Sequence, residues 1–190
     1  MIAYFLAHWL EWAGVITTCL GIWLTTQRNL LCWPITLAAD IIYLIVYYRT
    51  LLLSDALLQA FFIAFTLYGW WNWQRGVREE GEVKIVPLSA RVAFIAIILG
   101  AIGSVLLGLI ARHLHAALPW LDATLAAYSL VASWWQARRH ILNWWLWIVV
   151  DILYVGEYTY KQLWPTALLY VLLVALAVLG LRDWNRAPAS

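Results

Sequence analysis

The sequence predicts an all-α membrane protein of seven transmembrane helices, a three-span repeat, one linking span and a second three-span repeat in parallel orientation. Three observations predict it. Hydrophobic residues make up 65% of the chain and charged ones 12%, which excludes an ordinary soluble domain. The apolar residues fall in blocks of about 18 to 25, the length a helix needs to cross a hydrocarbon core of roughly 30 Å. The chain also matches itself at a constant offset of 111 residues. A transmembrane barrel would alternate polar and apolar residues instead.

The seven expected spans are Leu10–Thr26, Leu31–Tyr48, Asp55–Trp73, Val92–Ala111, Leu121–Ala137, Ile141–Tyr160 and Thr166–Leu181. They divide into a first repeat over 1–75, a linker with its helix over 76–111 and a second repeat over 112–190, leaving no room for a soluble domain. Ahead of the first span, Met1–Leu6 has neither a basic region nor a small-residue cleavage site, so no removable signal is expected there. Cys19 and Cys32 read as small buried hydrophobes, not a disulfide. The second span opens with Trp33-Pro34, a proline placed to begin a helix, and carries Asp40 near its middle. The third carries Gln59 and closes on Tyr68-Gly69-Trp70-Trp71-Asn72-Trp73.

Gln74–Lys84 mixes charges of both signs and reads as a solvated connector. In the fourth span Gly100, Ser104 and Gly108 are four apart, which lets another helix approach closely and suits a scaffold. The sixth span is the most informative. Trp144, Trp147, Asp151, Tyr154 and Tyr158 step by three or four residues and share one helix face. Ile148, Val149, Val150, Ile152, Leu153 and Val155 are left for lipid or a neighbouring helix.

Lys and Arg set the orientation. Arg28, Arg75, Arg78, Lys84, Arg91, Arg138, Arg139, Arg182 and Arg186 fall on one side of the seven spans; Arg49, Arg112 and Lys161 fall on the other. The rich side is expected to be cytoplasmic, with the N-terminus outside and the C-terminus inside. The net charge of +2 is thus a topology signal and not a nucleic-acid footprint.

At the offset of 111, Trp23 meets Trp134, Arg28 meets Arg139, Trp33 meets Trp144 and Asp40 meets Asp151. Tyr43 then meets Tyr154, Tyr47 meets Tyr158, Gly69 meets Gly180 and Trp73 meets Trp184. Shared Trp, Asp, Arg and Gly are poor candidates for compositional accident. One span between two triplets returns the second in the same orientation, so the repeat is expected to be parallel.

A carboxylate at mid-span costs roughly 2.5–3.5 kcal/mol on insertion scales, so it needs a polar cavity or a partner. Asp40 and Asp151 each lie among aromatic residues, and aromatic faces attract cations by about 0.5–2 kcal/mol. The expected solute is flat, aromatic and cationic. Trp33, Trp144 and Trp147 would stack on it, and Asp40 and Asp151 would meet the cation or hydroxyls. Gln59 would read an amide, with Tyr43 and Tyr154 beside the acids. Asn72, Gln136 and Asn143 near the cytoplasmic ends, with Tyr47 and Tyr158, are gate candidates. Blander readings stand beside these: Trp144 as an interfacial belt residue, the two acids as helix-to-helix hydrogen bonders, Gln59 as helix glue. Glu157 reads as solvated or paired with Lys161 at i+4. His8, His113, His115 and His140 lie at loops or span ends and form no metal-binding spacing. No nucleotide loop, nucleophile set or cofactor motif is present, so neither an enzyme nor a cofactor is expected.

Trp33-Pro34, Asp55-Ala56-Leu57-Leu58-Gln59 and Tyr68–Trp73 resemble the first repeat of the PnuC-type vitamin transporters. Asn143–Asp151, Ala167-Leu168-Leu169-Tyr170 and Gly180-Leu181-Arg182-Asp183-Trp184 resemble the second. The likeness runs from Glu11 to Trp184. It implies a bacterial inner-membrane carrier for nicotinamide riboside, with relatives for thiamine or other vitamins, and a SWEET-like fold. It further implies facilitated diffusion with alternating access, followed by phosphorylation by a cytoplasmic kinase. A homo-oligomer is compatible with the sequence, and membrane lipid is the surrounding partner. The competing readings are proton-coupled uptake through Asp40 or Asp151, and a non-transporting membrane sensor or subunit.

Overall fold

The computed structural model describes residues 9–49, 53–113 and 118–186. Met1–Leu6, His8 and His115 therefore lie outside the described residues. Seven helices account for most of the rest: α1 Trp9–Thr26, α2 Cys32–Arg49, α3 Leu53–Glu80, α4 Ala90–His113, α5 Pro119–Ala137, α6 Leu142–Tyr160 and α7 Trp164–Asn185. No strand occurs among the described residues. By length and composition alone, α4 and α7 are apolar enough to cross a membrane. In the other five, Trp, Tyr and Thr dilute the aliphatic residues, and such amphipathic side chains belong at membrane interfaces and polar seams.

The chain forms two compact units, residues 1–84 and 85–190. In the first, α2 packs against both α1 and α3. In the second, α5 packs between α4 and α6, and α7 packs on α6. The fourth helix thus belongs with the second triplet. Its notches at Gly100 and Gly108 receive rings: a Cβ at either would collide with Tyr128 or Trp120 of α5. Tyr128 then donates its hydroxyl to the Ile97 carbonyl at 3.2 Å. The small-residue stripe predicted a close approach of helices, and aromatic side chains fill it.

Local structure repeats at the same offset as the sequence. Both α1 and α5 end with a left-handed arginine, Arg28 at φ 56° and Arg139 at φ 65°. At each, two reverse hydrogen bonds close the helix: Arg28 N to Thr25 O and Asn29 N to Leu24 O, then Arg139 N to Gln136 O and His140 N to Trp135 O. This is the Schellman ending, which satisfies carbonyls the helix would otherwise leave bare. The arginines occupy a position where glycine is usual.

The largest departure from the sequence reading is at α3. The helix runs through the expected solvated connector to Glu80, fastened by Arg75 Nε on Glu79 at 2.7 Å, and stops at Gly81 with φ 80°. Its 28 residues span about 42 Å, more than the hydrocarbon core. The charged tail is good helix-forming sequence that projects past the apolar layer. Beyond it, Val83 is buried and its carbonyl accepts from Arg28 at 3.3 Å. In the second unit Val86 N donates to the Arg139 carbonyl, and His140 Nδ1 donates to the Val86 carbonyl at 2.9 Å.

Candidate functional site

Each unit holds an acid near the middle of its second repeat helix, Asp40 on α2 and Asp151 on α6, with two tyrosines one and two turns on. Tyr43 and Tyr47 stack at 5.9 Å and 23°; Tyr154 and Tyr158 stack at 5.8 Å and 22°. The acids are 8% and 4% exposed. Up to this point the two copies agree.

Their partners differ. Asp40 is saturated by α3: Gln59 donates to Oδ1 at 2.9 Å and Thr66 to Oδ2 at 2.7 Å. Gln59 and Thr66 are themselves buried, so three polar groups satisfy one another. At the equivalent places α7 carries Tyr170 and Ala177. Asp151 accepts no hydrogen bond from a described residue. Tyr170 instead packs between the tyrosines of α6, 4.6 Å from Tyr154 and 5.2 Å from Tyr158. The Tyr154 hydroxyl faces Ser129 of α5.

Trp33 and Trp144 turn out to be packing residues. They are 3% and 1% exposed, stand edge-on to Trp73 and Trp184 at 5.1 and 5.5 Å, and lie where a Cβ on Gly69 or Gly180 would be. Each ring is enclosed by its own unit, where the sequence expected the two indoles to stack on a solute. Trp147, one turn deeper, is half-buried and is steadied by its Nε1 donating to Gln136 at 3.2 Å.

Among the gate candidates, Gln136 is thus the holder of Trp147. Asn143 is wholly buried and its Nδ2 donates to the His140 carbonyl at 2.6 Å, fastening the turn between α5 and α6. Asn72 is half-buried near the end of the apolar part of α3. Tyr47 and Tyr158 belong to the tyrosine stacks. His140 is buried in that turn; burial holds its imidazole below the usual range, the Val86 carbonyl opposes this, and Arg138 and Arg139 reinforce it.

Sequence reasoning missed three contributors. Thr66 and Tyr170 lie where the repeat breaks down, and that mismatch was their signal. Asp122 is the third: Lys161 Nζ bridges it at 3.1 Å and Glu157 at 2.5 Å, tying α5 to the end of α6. Glu157 is paired with Lys161 as expected, but buried. Burial lowers the Lys161 ammonium pKa, but hydrogen bonds to Glu157 and Asp122 outweigh that and raise it overall.

The second unit thus gathers three stacked tyrosines and, on the same helix face, Trp147 and an acid without a donor among the described residues. Comparison with known proteins says which family built it. The chain is 26% identical over 202 residues to the nicotinamide riboside transporter PnuC of Escherichia coli (strain K12), covering 93% of this chain and 84% of that one. It is 30% identical over 177 residues to the riboflavin/roseoflavin transporter RibM of Streptomyces davaonensis, covering 90% and 80%. The crystal structure of the vitamin B3 transporter PnuC superposes with a TM-score of 0.77 at 23% identity, covering 97% of this chain and 85% of that one, so the fold is shared. The model of the nicotinamide mononucleotide transporter family matches residues 8–186, and the chain belongs to that family of bacterial membrane transporters.

Proposed function

We propose that this protein carries nicotinamide riboside across the bacterial inner membrane by facilitated diffusion with alternating access. The observation that carries the reading is Asp151, a buried acid without a donor among the described residues, on one helix face with half-buried Trp147, Tyr154 and Tyr158. A pyridinium ring stacks on such faces, and a buried carboxylate left without donors favours a solute that brings hydroxyls. The mononucleotide named in the family's description would add a phosphate next to that acid. The cation of the tyrosine cluster, Lys161, is already engaged by Glu157 and Asp122. The riboside is the better electrostatic match.

Trp147, Tyr154 and Tyr158 are assigned to the ring, and Tyr43 and Tyr47 form the corresponding stack of the first unit. Asn72 and Gln136 are assigned to the inner gate. No coupling ion is required, and a cytoplasmic kinase would trap the product. The arginine-rich loops support a cytoplasmic C-terminus. A second reading, riboflavin, is favoured by the 30% identity to RibM, because an isoalloxazine is equally flat and carries a hydroxylated chain. Calorimetry on the purified protein with nicotinamide riboside, riboflavin and thiamine separates them. Heat with nicotinamide riboside in preference to the others is expected; heat with riboflavin alone installs the second reading, and heat with none defeats both.

A further inference from the structure

The two repeats act as a control for one another. They share the acid, both tyrosines, the buried indole and the glycine beneath it, so the differences around the acid stand out against a common frame. On the acid's own helix Trp147 stands where the first repeat has Thr36, and on the third helix Gln59 and Thr66 of the first repeat correspond to Tyr170 and Ala177 of the second. The first pair fills both oxygens of Asp40 at 2.9 and 2.7 Å. The second pair gives Asp151 nothing, although it is the more deeply buried acid, at 4% against 8% exposure. A buried carboxylate left without donors is costly, and a membrane helix retains one where something else supplies them.

We propose that the duplicated acids have divided their labour. Asp151 accepts hydrogen bonds from the vicinal hydroxyls of the solute's sugar or sugar-alcohol chain, whereas Asp40 is a clasp joining α2 to α3 and does not touch the solute. Two adjacent hydroxyls match the two free oxygens of one carboxylate, the arrangement by which acids commonly read ribose. Tyr154, Tyr158 and Tyr170 supply the apolar wall beside it. The same acid would then serve a riboside or a ribityl chain, the feature those two solutes share. This rests on the transporter reading above.

The test measures affinity for nicotinamide riboside and for 1-methylnicotinamide, which keeps the pyridinium charge but has no ribose. Asp151→Asn is expected to weaken the riboside tenfold or more while changing 1-methylnicotinamide less than twofold. The decisive variant grafts the threonine of the first repeat's clasp into the second, Ala177→Thr, and leaves the tyrosine wall intact. Asp151 then gains a donor, and riboside affinity is expected to fall at least tenfold while 1-methylnicotinamide changes less than twofold, with melting temperature unchanged or raised, so loss through misfolding would be visible. Thr66→Val, which opens the clasp at Asp40, is expected to lower the melting temperature and leave riboside affinity within twofold. Equal loss of both ligands in Asp151→Asn would make the acid a counter-charge and overturn the proposal. So would full riboside affinity in the grafted variant, or a tenfold loss in Thr66→Val that exceeds the loss in Asp151→Asn. A wild-type protein that binds neither nicotinamide riboside nor riboflavin would overturn the transporter reading itself.

Discussion

At the scale of single residues, the indole–glycine pairs set the packing of each unit. Trp33 over Gly69 and Trp144 over Gly180 leave no room for a methyl group. Gly69→Ala or Gly180→Ala is therefore expected to destabilise the protein by about 1–3 kcal/mol, the usual cost of overpacking, read as a lower melting temperature in detergent. His140 makes stability depend on pH. Its native proton affinity is held down by burial, while the unfolded imidazole titrates at about 6.5. The unfolded chain then binds the proton more readily, so this contribution is complete above that value and is lost as pH falls through it. Melting temperature measured from pH 8 to pH 5 should decline at the acid end. His140→Asn, which keeps a donor for the Val86 carbonyl, should flatten that part of the curve.

At the scale of helices, ends and seams carry most of the information. Gln162 closes α6 in a left-handed conformation, φ 59°, with its N–H on the Thr159 carbonyl and the Leu163 N–H on the Tyr158 carbonyl. Glycine adopts that conformation without the crowding a Cβ brings, so Gln162→Gly is expected to stabilise by about 1 kcal/mol, seen as a rise in melting temperature. The neighbouring bridge of Lys161 to Glu157 and Asp122 is half sheltered, at 26%, 3% and 33% side-chain exposure. Lys161→Met would leave Glu157 buried beside a second carboxylate. A loss of about 2–3 kcal/mol is expected, below the full cost of breaking a buried pair because solvent reaches two of the three groups. Helix existence was legible in the sequence because apolar runs of membrane length admit little else. The extension of α3 to Glu80 was not, since charged residues read equally as connector or as helix beyond the bilayer. Enclosure of Trp144 was equally hidden, because a helical stripe shows which residues share a face and not how deeply a neighbour's glycine admits one of them.

At the scale of the whole molecule, duplication is the organising fact. Helix ends, left-handed arginines, edge-on tryptophans and stacked tyrosines all recur at the offset found in the sequence. The acid and aromatic residues of the candidate site were legible for the same reason. Their inequality was not, because the mismatch of Gln59 and Thr66 with Tyr170 and Ala177 gains meaning only once the partners of Asp40 are seen. The loop charges predict that a reporter fused to the C-terminus reads out in the cytoplasm and one at the N-terminus outside, and paired fusions check it. The central claim is that the chain moves a flat vitamin through the membrane without an energy source. Uptake of labelled nicotinamide riboside into proteoliposomes tests it most directly. Saturable, protein-dependent entry that stops when inside and outside concentrations match is the expected result, whereas entry no faster than into empty vesicles, for nicotinamide riboside and riboflavin alike, would contradict it.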